Sequence, residues 1–285
     1  MLPNEEYIEQ AFFFSAFHEA VLNGASTQEF LFFIRNELLA TAKLPLAIDF
    51  LLTDMKHTGI LSAAMSHIRH YFTPFQSFVV GESEKDDGRF DFRIALKILA
   101  IESEYRSKQP PIQGLFFYQF ETICRNRLGY DKGISVLSED DLYNADWKQW
   151  LSVLRKQIGL VDLAEMIYYR SEYYKQRLLR VEGNIRAEGD SPPAEGHKEI
   201  PVLFGEREGR IAFATRRKNP IQLFAALSRH LGYPSVPRQK PVNEEENLIP
   251  ILQRRIELFE NRIQLLEEEL RGGINLNRFI VQDAK

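Results

Sequence analysis

The chain has 285 residues and a formal net charge of −4 at pH 7, with 44% apolar and 27% charged residues. These values are ordinary for a globular protein, and the negative charge gives no overall attraction to nucleic acid or to an anionic membrane. The single cysteine excludes an intrachain disulfide and a metal site built from several cysteines. The length is sufficient for one large domain or two small ones.

The N-terminal segment and the apolar runs give the expected location. Residues 1–10 are acidic and lack the basic and apolar regions of a signal peptide. No apolar run approaches the roughly 20 residues that a membrane-spanning helix needs. We therefore expect a cytoplasmic protein that does not contact a membrane.

Helical periodicity dominates residues 1–182. Apolar residues recur there at steps of three and four, and glycines such as Gly24 end the repeats. Ser26 or Thr27 is a candidate helix cap, and Glu29 is placed to complete it. The sequence therefore predicts a mainly α protein whose first 182 residues form a helical bundle.

Residues 183–199 interrupt this pattern with glycine, proline and charge, which is typical of a flexible linker or loop. Residues 200–240 then hold two short apolar runs, 202–204 and 211–213, on either side of a glycine-bearing segment. Two apolar runs about such a turn predict a β-hairpin. Asn219, followed by proline, predicts the start of a helix. We therefore expect a small second unit made of a β-hairpin and a helix.

The C-terminal part of the chain has the clearest pattern. Residues 243–273 are predicted to form a heptad helix, because seven apolar residues follow one another at alternating steps of three and four. Residues 274–285 are predicted to be a tail. The seven positions of this interaction seam are Ile249, Leu252, Ile256, Phe259, Ile263, Leu266 and Leu270.

The interaction seam has two interpretations. A heptad repeat keeps one face toward a partner helix, so residues 247–272 would bind another protein or a second copy of the chain as a homodimer. Four further apolar residues lie off the seam and widen the apolar face. A wide face is typical of a helix that packs on its own globular body. The sequence leaves both interpretations open.

The segment 201–240 is strongly basic, with eight lysines and arginines against two glutamates. Arg216, Arg217 and Lys218 immediately precede Asn219, where the next helix is expected to begin. Amide donors at a helix N-terminus beside guanidinium groups suit a phosphate or a carboxylate. This pattern predicts an anion-binding or nucleic-acid-binding site at these four residues. The alternative is that the cations offset the charge of the acidic heptad helix.

Two histidines are the only candidates for metal ligands. His67 and His70 lie three residues apart on a predicted helix, which puts both imidazoles on one face as a metal site requires. Their ligand set is incomplete, and a position near a helix C-terminus suits an imidazolium without any metal. We therefore predict no metal and no cofactor. No nucleotide-binding, hydrolase or metalloprotease motif is present, so no catalytic residue is predicted.

These patterns support three hypotheses about function. The leading one is a non-enzymatic interaction or scaffold protein that assembles through its C-terminal heptad helix. The second is a nucleic-acid-binding or phosphoanion-binding protein that uses the basic segment. The third is a helical enzyme of unknown reaction.

Overall fold

The structure is a computed structural model, and its described part is mainly α-helical, as the sequence predicts. None of the described helices is long and apolar enough to cross a membrane. The structure describes residues 2–38, 43–85, 89–157, 159–188 and 201–238, with the backbone alone over 181–188. The helices of this part are α1 (Asn4–Leu22), α2 (Thr27–Ile34), α3 (Leu44–Thr58), α4 (Leu61–His67), α5 (Pro74–Ser83), α6 (Phe92–Ser107), α7 (Ile112–Arg125), α8 (Tyr130–Ser138), α9 (Ala145–Gln157), α10 (Leu163–Tyr169), α11 (Glu172–Glu188), α12 (Glu206–Thr215) and α13 (Pro220–Leu231).

Aromatic side chains fill the core between the first helices. Phe13, Phe14 and Phe17 on α1 are almost completely buried, and α1 packs along α6. The ring of Phe17 stacks on Phe30 of α2 at 4.4 Å and meets Phe92 of α6 edge-on at 5.4 Å. Such ring pairs add a directional attraction to the burial of their large apolar surfaces.

Local side-chain caps define where several helices begin and end. Ser26 accepts a hydrogen bond from the Glu29 amide at 3.3 Å, and the Glu29 carboxylate accepts one from the Ser26 amide at 3.1 Å. Thr73 and Gln76 form the same reciprocal box at the start of α5. Gly59 ends α3 in the left-handed conformation, with φ of 69°, which glycine adopts without strain. The predicted cap before α2 is therefore present, at Ser26.

The β-hairpin predicted within residues 200–240 is wrong. Residues Glu206–Thr215 form helix α12. Gly209 lies inside this helix and not in a turn. Glycine is required there because α12 passes close to the preceding helices, and a Cβ at this position would collide with the Ser171 hydroxyl. The apolar run that resembled a second strand contains the buried Ala212, which packs into the core from α12.

The first of the two predicted strands remains extended but has no hairpin partner. The Phe204 amide donates to the Arg170 carbonyl at 3.2 Å, and the Glu172 amide donates to the Phe204 carbonyl at 2.9 Å. These bonds form one isolated parallel bridge between Ser171 and Phe204. This short segment therefore lies along the junction between α10 and α11.

Residues 201–238 share a core with the helices that precede the predicted linker. The ring of Phe204 lies 5.3 Å from Trp147 and 5.2 Å from Trp150, and Tyr233 stacks on Phe117 at 6.4 Å. Among the described residues, the two predicted units 1–182 and 200–240 are thus joined in one core. The reason is that the large aromatic residues of the second segment are buried against α7 and α9.

Three sequence predictions fall partly or wholly outside the described residues. Helix α11 continues to Glu188, so the first six residues of the predicted linker at 183–199 are helical. Its remaining residues are not described. The predicted heptad helix at 243–273 and the predicted tail at 274–285 also lie outside the described residues.

A buried ionic network links α6 to neighbouring elements. The guanidinium of Arg106, which is 3% exposed, pairs with Glu102 at 2.5 Å and with Asp140 at 2.6 Å. Glu102 also accepts hydrogen bonds from Gln119 and Gln76. Burial alone would lower the pKa of Arg106, but its two carboxylate partners outweigh burial and hold that pKa well above its ordinary value. The Arg106 guanidinium therefore stays charged at neutral pH.

We predict that Arg106→Met lowers the free energy of unfolding by about 3–5 kcal/mol, because it leaves two buried carboxylates without a counter-charge. The matched control is Lys108→Met at the residue that follows α6, where the Lys108–Glu104 pair is 65% and 61% exposed. That change should cost less than about 1 kcal/mol. Urea unfolding measures both values. Equal values for the two variants would show that the buried network does not stabilise the fold.

Candidate functional site

Asp162 connects the segment after α12 to the start of α10. One of its carboxylate oxygens caps α10 by accepting the Ala164 amide at 3.1 Å. The other accepts the amide of Arg217 at 2.6 Å. A carboxylate at this position also interacts favourably with the positive N-terminal end of the α10 dipole. Asp162 therefore fixes the backbone at Arg217, in the segment that holds the predicted anion-binding residues.

Arg217 adopts an unusual backbone conformation at this point. Its φ is 57°, in the left-handed region, which costs a residue with a side chain about 1–2 kcal/mol. Its side chain is 88% exposed, and its Nε lies 3.9 Å from the Glu165 carboxylate. The long separation and the exposure make this a weak ion pair, so most of the guanidinium surface faces solvent.

Arg216 lies over two aromatic rings. Its Cζ lies 4.0 Å from the ring centre of Phe213 and 5.0 Å from that of Tyr168. Its Nε donates to the Phe213 carbonyl at 3.3 Å, which fixes the plane of the guanidinium. No carboxylate of the described residues pairs with Arg216. Its charge is therefore oriented without being neutralised.

Further arginines cross between α11 and α12. Arg177 of α11 lies over the ring of Phe213 at 4.9 Å, and Arg210 of α12 lies over the ring of Tyr173 at 5.7 Å. Each helix thus supplies an aromatic ring and an arginine that covers the ring of the other helix. We name this group the arginine–aromatic cluster; its members are Tyr168, Tyr169, Tyr173, Tyr174, Arg177, Arg210, Phe213 and Arg216.

The surroundings of the cluster are basic although the whole chain is acidic. The described residues 162–180 and 201–218 contain nine lysines and arginines against five aspartates and glutamates. An open hollow of about 310 Å³ lies beside the cluster and is lined by Glu165, Phe213, Arg216 and Arg217. A local excess of cations around a hollow raises the local concentration of anions.

The predicted anion-binding residues occupy the connection between α12 and α13. Arg216 is half-buried on the aromatic rings, whereas Arg217 and Lys218 are exposed. Asn219 caps α13 as predicted, since its side chain accepts the Ile221 amide at 3.0 Å. Its carbonyl oxygen is thus used within the fold, and the cations carry any interaction with an anion.

The aromatic partners of these arginines were not predicted as part of a site. The sequence analysis assigns no role in a site to the tyrosines of α10 and α11, and it places Phe213 in a strand. The available signal was the helical spacing of Tyr173 and Arg177, and of Arg210 and Phe213, each of which places two residues on one helix face.

The two histidines are not joined by further metal ligands in the described part of the chain. His67 ends α4, and its Nδ1 lies 3.3 Å from the Asp54 carboxylate. His70 follows in the turn after α4. Among the described residues, no group of three or more histidine, cysteine, aspartate or glutamate side chains could hold a metal ion.

Comparison with known proteins finds no match. Neither a protein-family model, nor a curated protein, nor a solved structure is similar to this chain.

We predict that Arg217→Gly leaves the free energy of unfolding unchanged or raises it by up to about 1 kcal/mol, because glycine adopts the left-handed conformation without strain. The matched control is Lys218→Gly, which removes the same charge from the next residue. Lys218 has no positive φ, so this change should lower the free energy by roughly 0.5–1 kcal/mol. Thermal or urea unfolding distinguishes the two. A larger loss for Arg217→Gly than for Lys218→Gly would contradict the assigned strain.

Proposed function

We propose that the protein binds a phosphate-bearing ligand at the arginine–aromatic cluster, with Arg216, Arg217 and Lys218 as the principal cations. The observation that carries the proposal is the position of Arg216, whose guanidinium is fixed on two rings and has no carboxylate partner among the described residues. The ligand would enter the hollow beside Arg217.

The fixed orientation of Arg216 favours this function energetically. A flexible arginine loses side-chain entropy when it binds a ligand, whereas a planar guanidinium that is already held in place loses less. Guanidinium groups also bind phosphate through two parallel hydrogen bonds, which are stronger than bonds between neutral groups. Arg217 and Lys218, both exposed, add charge on the same connection.

Calorimetric titration of pyrophosphate into the full chain, at low and at high salt, tests the proposal. Wild-type binding should weaken as salt is added, since exposed charges are screened. The double variant Arg216→Gln/Arg217→Gln should weaken binding about tenfold or more, because each charge-assisted hydrogen bond contributes roughly 1.5–3 kcal/mol.

The matched control is Arg35→Gln/Arg69→Gln, which changes the net charge equally. Both arginines are more than half exposed and form surface ion pairs, with Asp49 and Glu139 respectively. This control should bind as wild type does. The proposal fails if wild type does not bind pyrophosphate at low salt, or if the control loses as much affinity as the test variant.

A second proposed function is assembly through the C-terminal segment, in a scaffold or interaction protein. It is supported by the sequence alone, because the seam from Ile249 to Leu270 keeps its alternating steps of three and four over six intervals. The alternative interpretation is that this segment covers the chain's own body. The two functions are compatible, since the arginine–aromatic cluster and the seam use different parts of the chain.

We predict that the full chain sediments as a homodimer and that a chain ending at Asn243 sediments as a monomer, because the truncation removes the entire seam. Sedimentation velocity at several concentrations measures both. If the two proteins are monomers, self-association through the seam is excluded. If both are dimers, another surface is responsible.

A further inference from the structure

We infer that the phosphate-bearing ligand of this site is a single-stranded nucleic acid, whose bases stack on the arginine–aromatic cluster while its phosphates meet the surrounding cations. The inference rests on the proposed function. It deepens that function by assigning the exposed ring of Tyr169 a direct contact with the ligand, in addition to the orientation of Arg216 by Phe213 and Tyr168.

The cluster offers stacking surfaces at the protein exterior. Tyr169 is 46% exposed, and it is held from within by contacts with Tyr168 at 5.4 Å and with Tyr174 at 5.1 Å. The half-buried Arg216 guanidinium lies over the Phe213 ring, with its Cζ 4.0 Å from the ring centre, and part of the side chain is accessible to solvent. Bases of single strands stack on both aromatic rings and guanidinium planes, whatever their sequence.

Exposed cations extend from the cluster along α11. Tyr173, Arg177 and Arg180 follow one another at steps of four and three, so they share one face of the helix. Arg180 is exposed and forms no ion pair within the described part of the chain. A line of cations beside stacking surfaces is the arrangement that follows a nucleic-acid backbone.

The aromatic contacts favour a single strand over other phosphate-bearing ligands. A small phosphate needs only the hydrogen-bond donors that the arginines supply, and it makes no use of an exposed aromatic ring such as that of Tyr169. A duplex presents phosphates but keeps the faces of its bases inside the stack. Between the two forms of nucleic acid, the unpaired strand is the one that offers both charges and free base faces at its surface.

The test measures binding of three fluorescent probes to the full chain by anisotropy. The probes are a short oligothymidylate, an abasic strand of the same length and charge, and a duplex of the same length. The oligothymidylate should bind roughly tenfold or more tightly than the abasic strand, since base–aromatic stacking contributes about that factor per base. It should also bind more tightly than the duplex.

Tyr169 is the residue whose substitution tests the stacking directly. Tyr169→Leu should weaken binding of the oligothymidylate about tenfold and leave binding of the abasic strand unchanged. Tyr169→Phe keeps the ring and should bind as wild type does. Phe32→Leu removes an aromatic residue of similar exposure, 61%, from α2 and is the matched control. Circular dichroism confirms that each variant is folded.

The outcomes distinguish the single-strand inference from the phosphate binding on which it rests. Equal affinity for the oligothymidylate and the abasic strand, or tightest binding of the duplex, overturns the single-strand inference and leaves phosphate binding intact. Base-dependent binding that Tyr169→Leu does not weaken also overturns the stacking role assigned to this cluster. Failure of all three probes and of pyrophosphate to bind at low salt overturns the proposed function itself.

Discussion

The close contact between Gly209 and Ser171 is the constraint on which the proposed site depends. Ser171 is buried between α10 and α11, donates to the Tyr168 carbonyl at 2.6 Å and accepts the Tyr174 amide at 3.3 Å. Its backbone also forms the parallel bridge with Phe204. Because Gly209 has no side chain, α12 lies directly against this junction. A larger residue at position 209 would push α12 away from both helices.

The short separation of the helices explains why arginines and rings interlock there. Phe213 lies one helical turn beyond Gly209 and is within 6.0 Å of the Tyr173 ring and 5.2 Å of the Tyr168 ring. Arginines from both helices can then lie over the rings of the opposite helix. Cation–π contacts of this kind stabilise by about 0.5–2 kcal/mol each and orient the guanidinium groups. The close packing of α12 against α10 and α11 therefore also sets the positions of the arginines.

The sequence predicted the features that depend on neighbouring residues. The caps at Ser26 and Asn219 involve residues at most three positions apart, and helical periodicity is repeated over many residues. The β-hairpin was predicted wrongly because a glycine between two apolar runs suits a turn and also suits a tight helix contact. Which one occurs at Gly209 is decided by Ser171, which is distant in the sequence. The arginine–aromatic cluster was missed for the same reason, since its pairs form between helices. The seam of residues 249–270 lies outside the described residues and stays a prediction.

The most direct test of the account is to follow the side-chain Nε–Hε resonances of the arginines by NMR while pyrophosphate is added to the full chain. The account predicts that Arg216 and Arg217 shift progressively with the added ligand, because their guanidinium groups contact the phosphate. Arg35 and Arg69, which form ion pairs with Asp49 and Glu139, should not shift. Unchanged resonances of Arg216 and Arg217 at saturating pyrophosphate would contradict the proposed site.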